Sequence, residues 1–126
     1  MTVTTVSVVN ITVPNNVWWL DAFQFGTVGD TSWSFAHQEF LCDLKSDPTV
    51  LTPDMALSSV SSPPTIVVLD EAARILTFDV TDHMIRAHVQ PGPYTYDLIM
   101  VDMTTGERRR LMKGVITIEQ GITIED

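Results

Sequence analysis

Arg74-Ile-Leu-Thr-Phe-Asp-Val80 is followed at once by Thr81-Asp-His-Met-Ile-Arg-Ala-His-Val89 and then by Pro91-Gly-Pro-Tyr-Thr-Tyr-Asp-Leu98. The first piece alternates. Ile75, Thr77 and Asp79 fall on one side of an extended chain, and Leu76, Phe78 and Val80 on the other. The second piece is the chain's one helical candidate. Thr81 suits the N-cap, Asp82 the positive first turn, and Ile85 and Val89 are four apart. Pro91, Gly92 and Pro93 stop it. Strand, one helical turn, strand: this order predicts a domain in which strands dominate, with a single turn of helix between them.

The rest of the chain agrees. Thr, Val and Ile number 16, 15 and 9, so 40 of the 126 residues are β-branched, against 6 Ala and 2 Lys. Branched side chains lose little on a pleated surface and more on a helix. Outward from the opening stretch, strands are predicted at Trp33 to Leu44, Val50 to Ser58 (broken by Pro53), Thr65 to Leu69, Tyr94 to Met103 and Glu107 to Glu119. Asp70 to Ala73 and Thr104-Thr105-Gly106 read as turns. Val17-Trp18-Trp19-Leu20 opens a further apolar piece. Seven to nine short strands with turn signals every 8–12 residues or so give the spacing of an all-β, immunoglobulin-like sandwich. Phe40, Leu76, Phe78, Leu98 and Leu111 are the expected core.

The N-terminal run Thr2-Val-Thr-Thr-Val-Ser-Val-Val-Asn-Ile-Thr-Val13 is uncharged and free of Pro until Pro14. It forms either an extended arm or a first strand at 1–13, ahead of a single domain at 14–126. Bare strand edges recruit other strands. A 12-residue strand would span roughly 40 Å. Part of the arm is therefore expected to reach another chain, with Val3, Val6 and Val8 as contact residues.

Charge bounds the partners. Sixteen acids against seven bases give a formal net charge of −9. Such a surface repels phosphate backbones and anionic membranes, so neither is an expected partner. Met1 to Leu20 lacks a basic start and holds Thr, Asn and Pro throughout, which fits neither a signal peptide nor a membrane span. Cys42 is the one cysteine, and no internal disulfide is possible. It sits among Phe40, Leu41 and Leu44 and reads as a small buried hydrophobe rather than a nucleophile.

No chemical constellation stands out. Asp79, Asp82, His83 and His88 cluster in sequence, but His83 and His88 are five apart, a poor match to one helix face. No Ser sits in Gly-x-Ser-x-Gly. No catalytic role, metal or cofactor is expected. Tyr94 and Tyr96 start the strand after the helical turn, where a phenol that bonds backbone upstream makes a corner. Trp18 and Trp19 are adjacent and face opposite ways in a strand. One belongs to the core, and the other covers a sheet edge or touches a neighbour. Arg108, Arg109 and Arg110 with Lys113 place four of the seven bases in six positions. They form either an exposed hairpin paired to local acids or a socket for an acidic neighbour, an identical copy among the candidates.

The C-terminal half carries a resemblance. A strand, a helical turn, Pro-Gly-Pro-Tyr-Thr-Tyr-Asp-Leu (91–98), a β-turn and Arg-Leu-Met-Lys-Gly-Val-Ile-Thr-Ile (110–118) follow one another. This is similar to a class of small tailed-phage virion proteins related to the N-terminal domain of phage upper baseplate proteins. The likeness runs over residues 20–124 and is specific at 91–98 and 110–118. It implies an immunoglobulin-like sandwich and a structural, non-enzymatic place in the virion, in tail, baseplate or fibre attachment. The protein would be made in the host bacterial cytoplasm. Its partners would be other virion proteins and copies of itself in a homo-oligomer. Decoration of a phage head is the alternative within that class, and a carbohydrate-binding adhesion module the alternative outside it.

Overall fold

The computed structural model describes residues 7–26 and 32–123. Nine strands and one helix follow in order: β1 (Ser7–Val8), β2 (Ile11–Pro14), β3 (Trp19–Gln24), β4 (Gln38–Lys45), β5 (Met55–Ser58), β6 (Ile66–Asp70), β7 (Ile75–Val80), α1 (Asp82–His88), β8 (Gly92–Asp102) and β9 (Arg108–Glu119). They form two sheets. One has the order β1-β9-β8-β4-β5, with β2 continuing along β9, and the other is β3-β7-β6. This is an all-β sandwich, with one short helix crossing from the smaller sheet to the larger.

The opening stretch folds as its pattern requires. In β7, Leu76, Phe78 and Val80 are buried while Ile75, Thr77 and Asp79 stand half-buried on the other side. The Thr81 side chain accepts a hydrogen bond from the Met84 N–H at 3.2 Å and caps α1. Ile85 and Val89 anchor the turn in the core. The Tyr94 hydroxyl accepts from the Gln90 N–H and donates to the Gln90 carbonyl, at 2.9 and 2.8 Å. Both polar groups of one upstream residue are thereby satisfied by one phenol, which fixes the corner where the chain enters β8.

All five expected core residues are fully buried. β4 contributes Phe40, Cys42 and Leu44, and β8 contributes Tyr94, Tyr96, Leu98 and Met100. Trp19 stacks on Phe78 with ring centroids 4.7 Å apart, and Phe23 meets the edge of the same ring. The sheets are joined by such packing, with no disulfide. The Cys42 thiol is inert there: burial, and secondarily the charges of Asp97 and Asp43, push its ionisation well above the ordinary thiol range.

Three boundaries differ from the sequence reading. β4 begins at Gln38 rather than Trp33, because His37 takes a positive φ of 59° and breaks the extended chain. Trp33 and Phe35 instead turn inward at the end of the sandwich. β5 begins only at Met55, since Asp47 and Thr49 close a turn ahead of it. The turn after β6 runs through Arg74, whose φ is 58° and whose side chain is buried. Its Nε donates to the Phe25 carbonyl at 2.8 Å and its Nη1 to that of Trp33 at 3.1 Å, and its guanidinium lies over the Trp33 ring.

The N-terminal segment is a strand of its own sheet from residue 7 onward. β1 and β2 pair in parallel with β9, Ser7 opposite Met112 and Val13 opposite Ile118. Ile11 and Val13 are core residues. Val3 and Val6 lie with residues 1–6 outside the described residues, and Val8 is exposed at the end of β1.

Candidate interaction surface

The surface follows from an irregularity in β9. Its pairing with β8 shifts by one residue between Leu98 and Ile99, where Leu98 faces Met112 and Ile99 faces Arg110. Leu111 is the extra residue of a β-bulge. Leu111 and Met112 are both fully buried as a result. The alternation changes phase there. Arg108 and Arg110 point outward before the bulge, and Lys113, Val115 and Thr117 after it. In a regular strand, residues three apart face opposite sides. The bulge brings Arg110 and Lys113 to one face.

That face is the outside of the six-stranded sheet. Lys113 is opposite Asp97 on β8, and Asp97 is opposite Asp43 on β4. Arg110 Nε lies 3.4 Å from Asp97 Oδ2. Lys45 stands one outward position further along β4. Together with Val8, Asn10 and Val115, these residues line a depression of about 490 Å³. Four of the chain's seven bases are on this face, Lys45, Arg108, Arg110 and Lys113, beside the carboxylates Glu39, Asp43, Asp97 and Glu119. The other three bases are engaged elsewhere. Arg74 is buried. Arg86 donates to Asp82 and to the Asn15 carbonyl. Arg109 lies over the Trp33 ring, with its CZ 5.7 Å from the centroid.

The smaller sheet has the opposite character. β3, β6 and β7 contain no Lys or Arg. Their outer side carries Asp79 and Asp70, with Glu71 in the adjoining turn. It also exposes apolar side chains, Leu20 at 58% and Leu69 at 59%. Trp18 lies beside them at 57% exposure, its indole N–H donating to Asp79 Oδ1 at 2.7 Å.

Of the candidate contact residues, Val8, Trp18, Arg108 and Arg110 are on the surface, the first and last in the depression. Trp19 is not: at 3% exposure it is core, because β3 turns its odd-numbered residues inward. Arg109 is not in the cationic face either, since alternation turns it toward Trp33. Asn10, Asp43, Lys45 and Asp97 were missed. Their signal was present in the outward parity of 43 and 45 and of 95 and 97, but only the pairing of β4, β8 and β9 brings them together.

The carboxylates with shifted ionisation are local turn and cap devices. The Thr49 side chain holds Asp47 below the usual carboxylate range, the Arg86 guanidinium does so for Asp82, and the Thr105 and Thr104 N–H groups for Asp102. Among the described residues no group of His, Cys, Asp or Glu is placed to hold a metal ion, and no helix is long and apolar enough to cross a membrane. No protein-family model matches the sequence, and no curated protein matches it.

Proposed function

We propose that this protein is a non-enzymatic structural component of a tailed-phage virion, in the tail, baseplate or fibre-attachment assembly, and that it acts through protein–protein contacts with other virion proteins and copies of itself. The observation that carries this is the segregation of charge. A chain of net charge −9 places four of its seven bases on one sheet face and leaves the strands of the other sheet without any. Charge arranged this way sets the register of docking partners. The resemblance to small virion proteins adds to it, since its two specific motifs are β8 with its tyrosine corner and the bulged β9.

A carbohydrate-binding role has less support. Sugar sites use an exposed aromatic platform beside polar groups, and here exposed Trp18 is on the sheet opposite the depression. Immunogold electron microscopy tests the proposal: antibody to the recombinant chain is expected to label tails of particles released by cells carrying the gene. Label on heads would assign head decoration instead. Unlabelled particles, with specific binding on a glycan array, would overturn the virion reading in favour of adhesion.

A further inference from the structure

We propose that the depression on the outer face of the six-stranded sheet seats a second copy of this chain, which presents the outer face of its three-stranded sheet. The inference rests on the structural reading above and names the contact that assembly would use. Lys45, Arg110 and Lys113 outnumber the two carboxylates, Asp43 and Asp97, with which they line the depression. The outer side of the three-stranded sheet and its turn offer Asp70, Glu71 and Asp79 and no cation. The depression holds one base more than it has acids, and the opposing face holds acids and no base.

Pairing like with like is worse on both sides. Two cationic faces would bring six bases together, and two acidic faces would stack carboxylates against carboxylates. Apolar matter is matched as well. Val8 at 67% exposure and Val115 form uncharged ground beside the cations, and Leu20 and Trp18 project from the opposing face. The two surfaces lie on opposite sides of one sandwich. Their contact is therefore head-to-tail rather than two-fold, and it repeats until a ring closes or a fibre extends.

The footprint sets the strength. Three strands about 4.8 Å apart and some six residues long cover roughly 300 Å². A standard interface covers about 800 Å² per partner. One contact is thus weak and salt-sensitive, and a closed ring gains from every copy being held twice.

Sedimentation and light scattering from micromolar to millimolar protein, at low and high salt, read this directly. Wild type is expected to self-associate with rising concentration and to lose association at high salt. Arg110→Glu with Lys113→Glu disables the seat, and Leu20→Lys with Glu71→Lys disables the opposing face. Each double variant alone is expected to weaken association at least about tenfold, the effect of placing like charges in a charged contact. Mixed in equal amounts they are expected to associate again, because one intact seat meets one intact opposing face and the two reversed surfaces, acids against lysines, also match in charge. Thermal melts establish that both are folded. Arg110→Gln with Lys113→Gln replaces the first pair if reversal unfolds it. A wild type that stays monomeric at millimolar concentration overturns the inference. So does a mixture that fails to associate. Wild-type assembly left unchanged by either pair overturns this contact while the virion reading stands. Absent gold label overturns that reading whatever these variants do.

Discussion

Gly114→Ala tests the N-terminal strand as a working part of the sandwich. β1 and β2 run along β9 with a break at Val9 and Asn10. There the Val9 carbonyl leaves the ladder and accepts from the Tyr96 hydroxyl at 2.7 Å, while the Asn10 side-chain oxygen takes the Val115 N–H at 3.1 Å. Tyr96 is opposite Gly114, so the phenol crosses a residue with no side chain to reach Val9. A Cβ on Gly114 would fall within contact range of the Val9 carbonyl, which is backbone and has no rotamer to yield. The φ of 156° adds a conformation that L side chains rarely adopt. Moving Val9 costs the Tyr96 bond, the Val9 N–H bond to Lys113 at 2.9 Å and the Asn10 bond. At about 1 kcal/mol each, with a further ~1 kcal/mol of backbone strain, the substitution should destabilise by about 3–4 kcal/mol. Tyr96→Phe alone should cost about 1–2 kcal/mol by leaving a carbonyl unpaired. The double variant in a urea melt should fall short of the sum by about 1 kcal/mol or more, since both changes remove one bond. A cost for Gly114→Ala below about 1 kcal/mol, or strict additivity with Tyr96→Phe, refutes the arrangement.

Three further outcomes are expected. Phe78→Ala removes a fully buried ring stacked on Trp19 and should cost about 3–5 kcal/mol in a denaturant melt; a loss under about 1 kcal/mol would place the ring outside the core. Tyr94→Phe strands the N–H and carbonyl of Gln90 and should cost about 1–2 kcal/mol, with no effect on the concentration dependence of assembly. Stability should fall in alkali: the Cys42 thiol ionises near its ordinary value of 9.0 in the unfolded chain and far higher when buried. Its contribution is whole below pH 9 and lost above it, at up to about 1.4 kcal/mol per pH unit. Cys42→Ala should flatten that decline in urea melts across this range, and parallel slopes for both proteins would contradict it.

Much of the fold was legible because burial on one side of a strand writes itself into sequence with a period of two. β7 is the clear case, where Leu76, Phe78 and Val80 take every inward position. Thr81, Ile85 and Val89 announced the helical turn in the same local way. The failures came where a single dihedral or a distant partner decides. Nothing in Trp33 to Gln38 says that His37 will adopt a left-handed backbone and turn Trp33 and Phe35 into the end of the core. Arg74 reads as a charged strand start, yet two carbonyls and an indole ring from residues far away in sequence hold it buried. The N-terminal run read equally as arm or strand. Its neighbour, β9, lies about 105 residues later in the chain.

The interaction surface was less legible than the fold, and β9 shows why. Counting along Arg108 to Lys113 by twos puts Arg110 and Lys113 on opposite sides, with Lys113 turned to the core and Leu111 split from Met112. That count is correct for any unbroken strand. A bulge reverses it, and a bulge is a property of two strands, visible only when ten residues of β8 are set against eleven of β9 between Val101–Arg108 and Gly92–Ile118 with one left over. The extra residue is Leu111, and it is fully buried. The core thus gains a second consecutive apolar side chain, and the outer face gains Lys113 beside Arg110 and Asp97. One backbone irregularity fills the interior and gathers these cations, so the surface proposed for docking is built by the same step that completes the core.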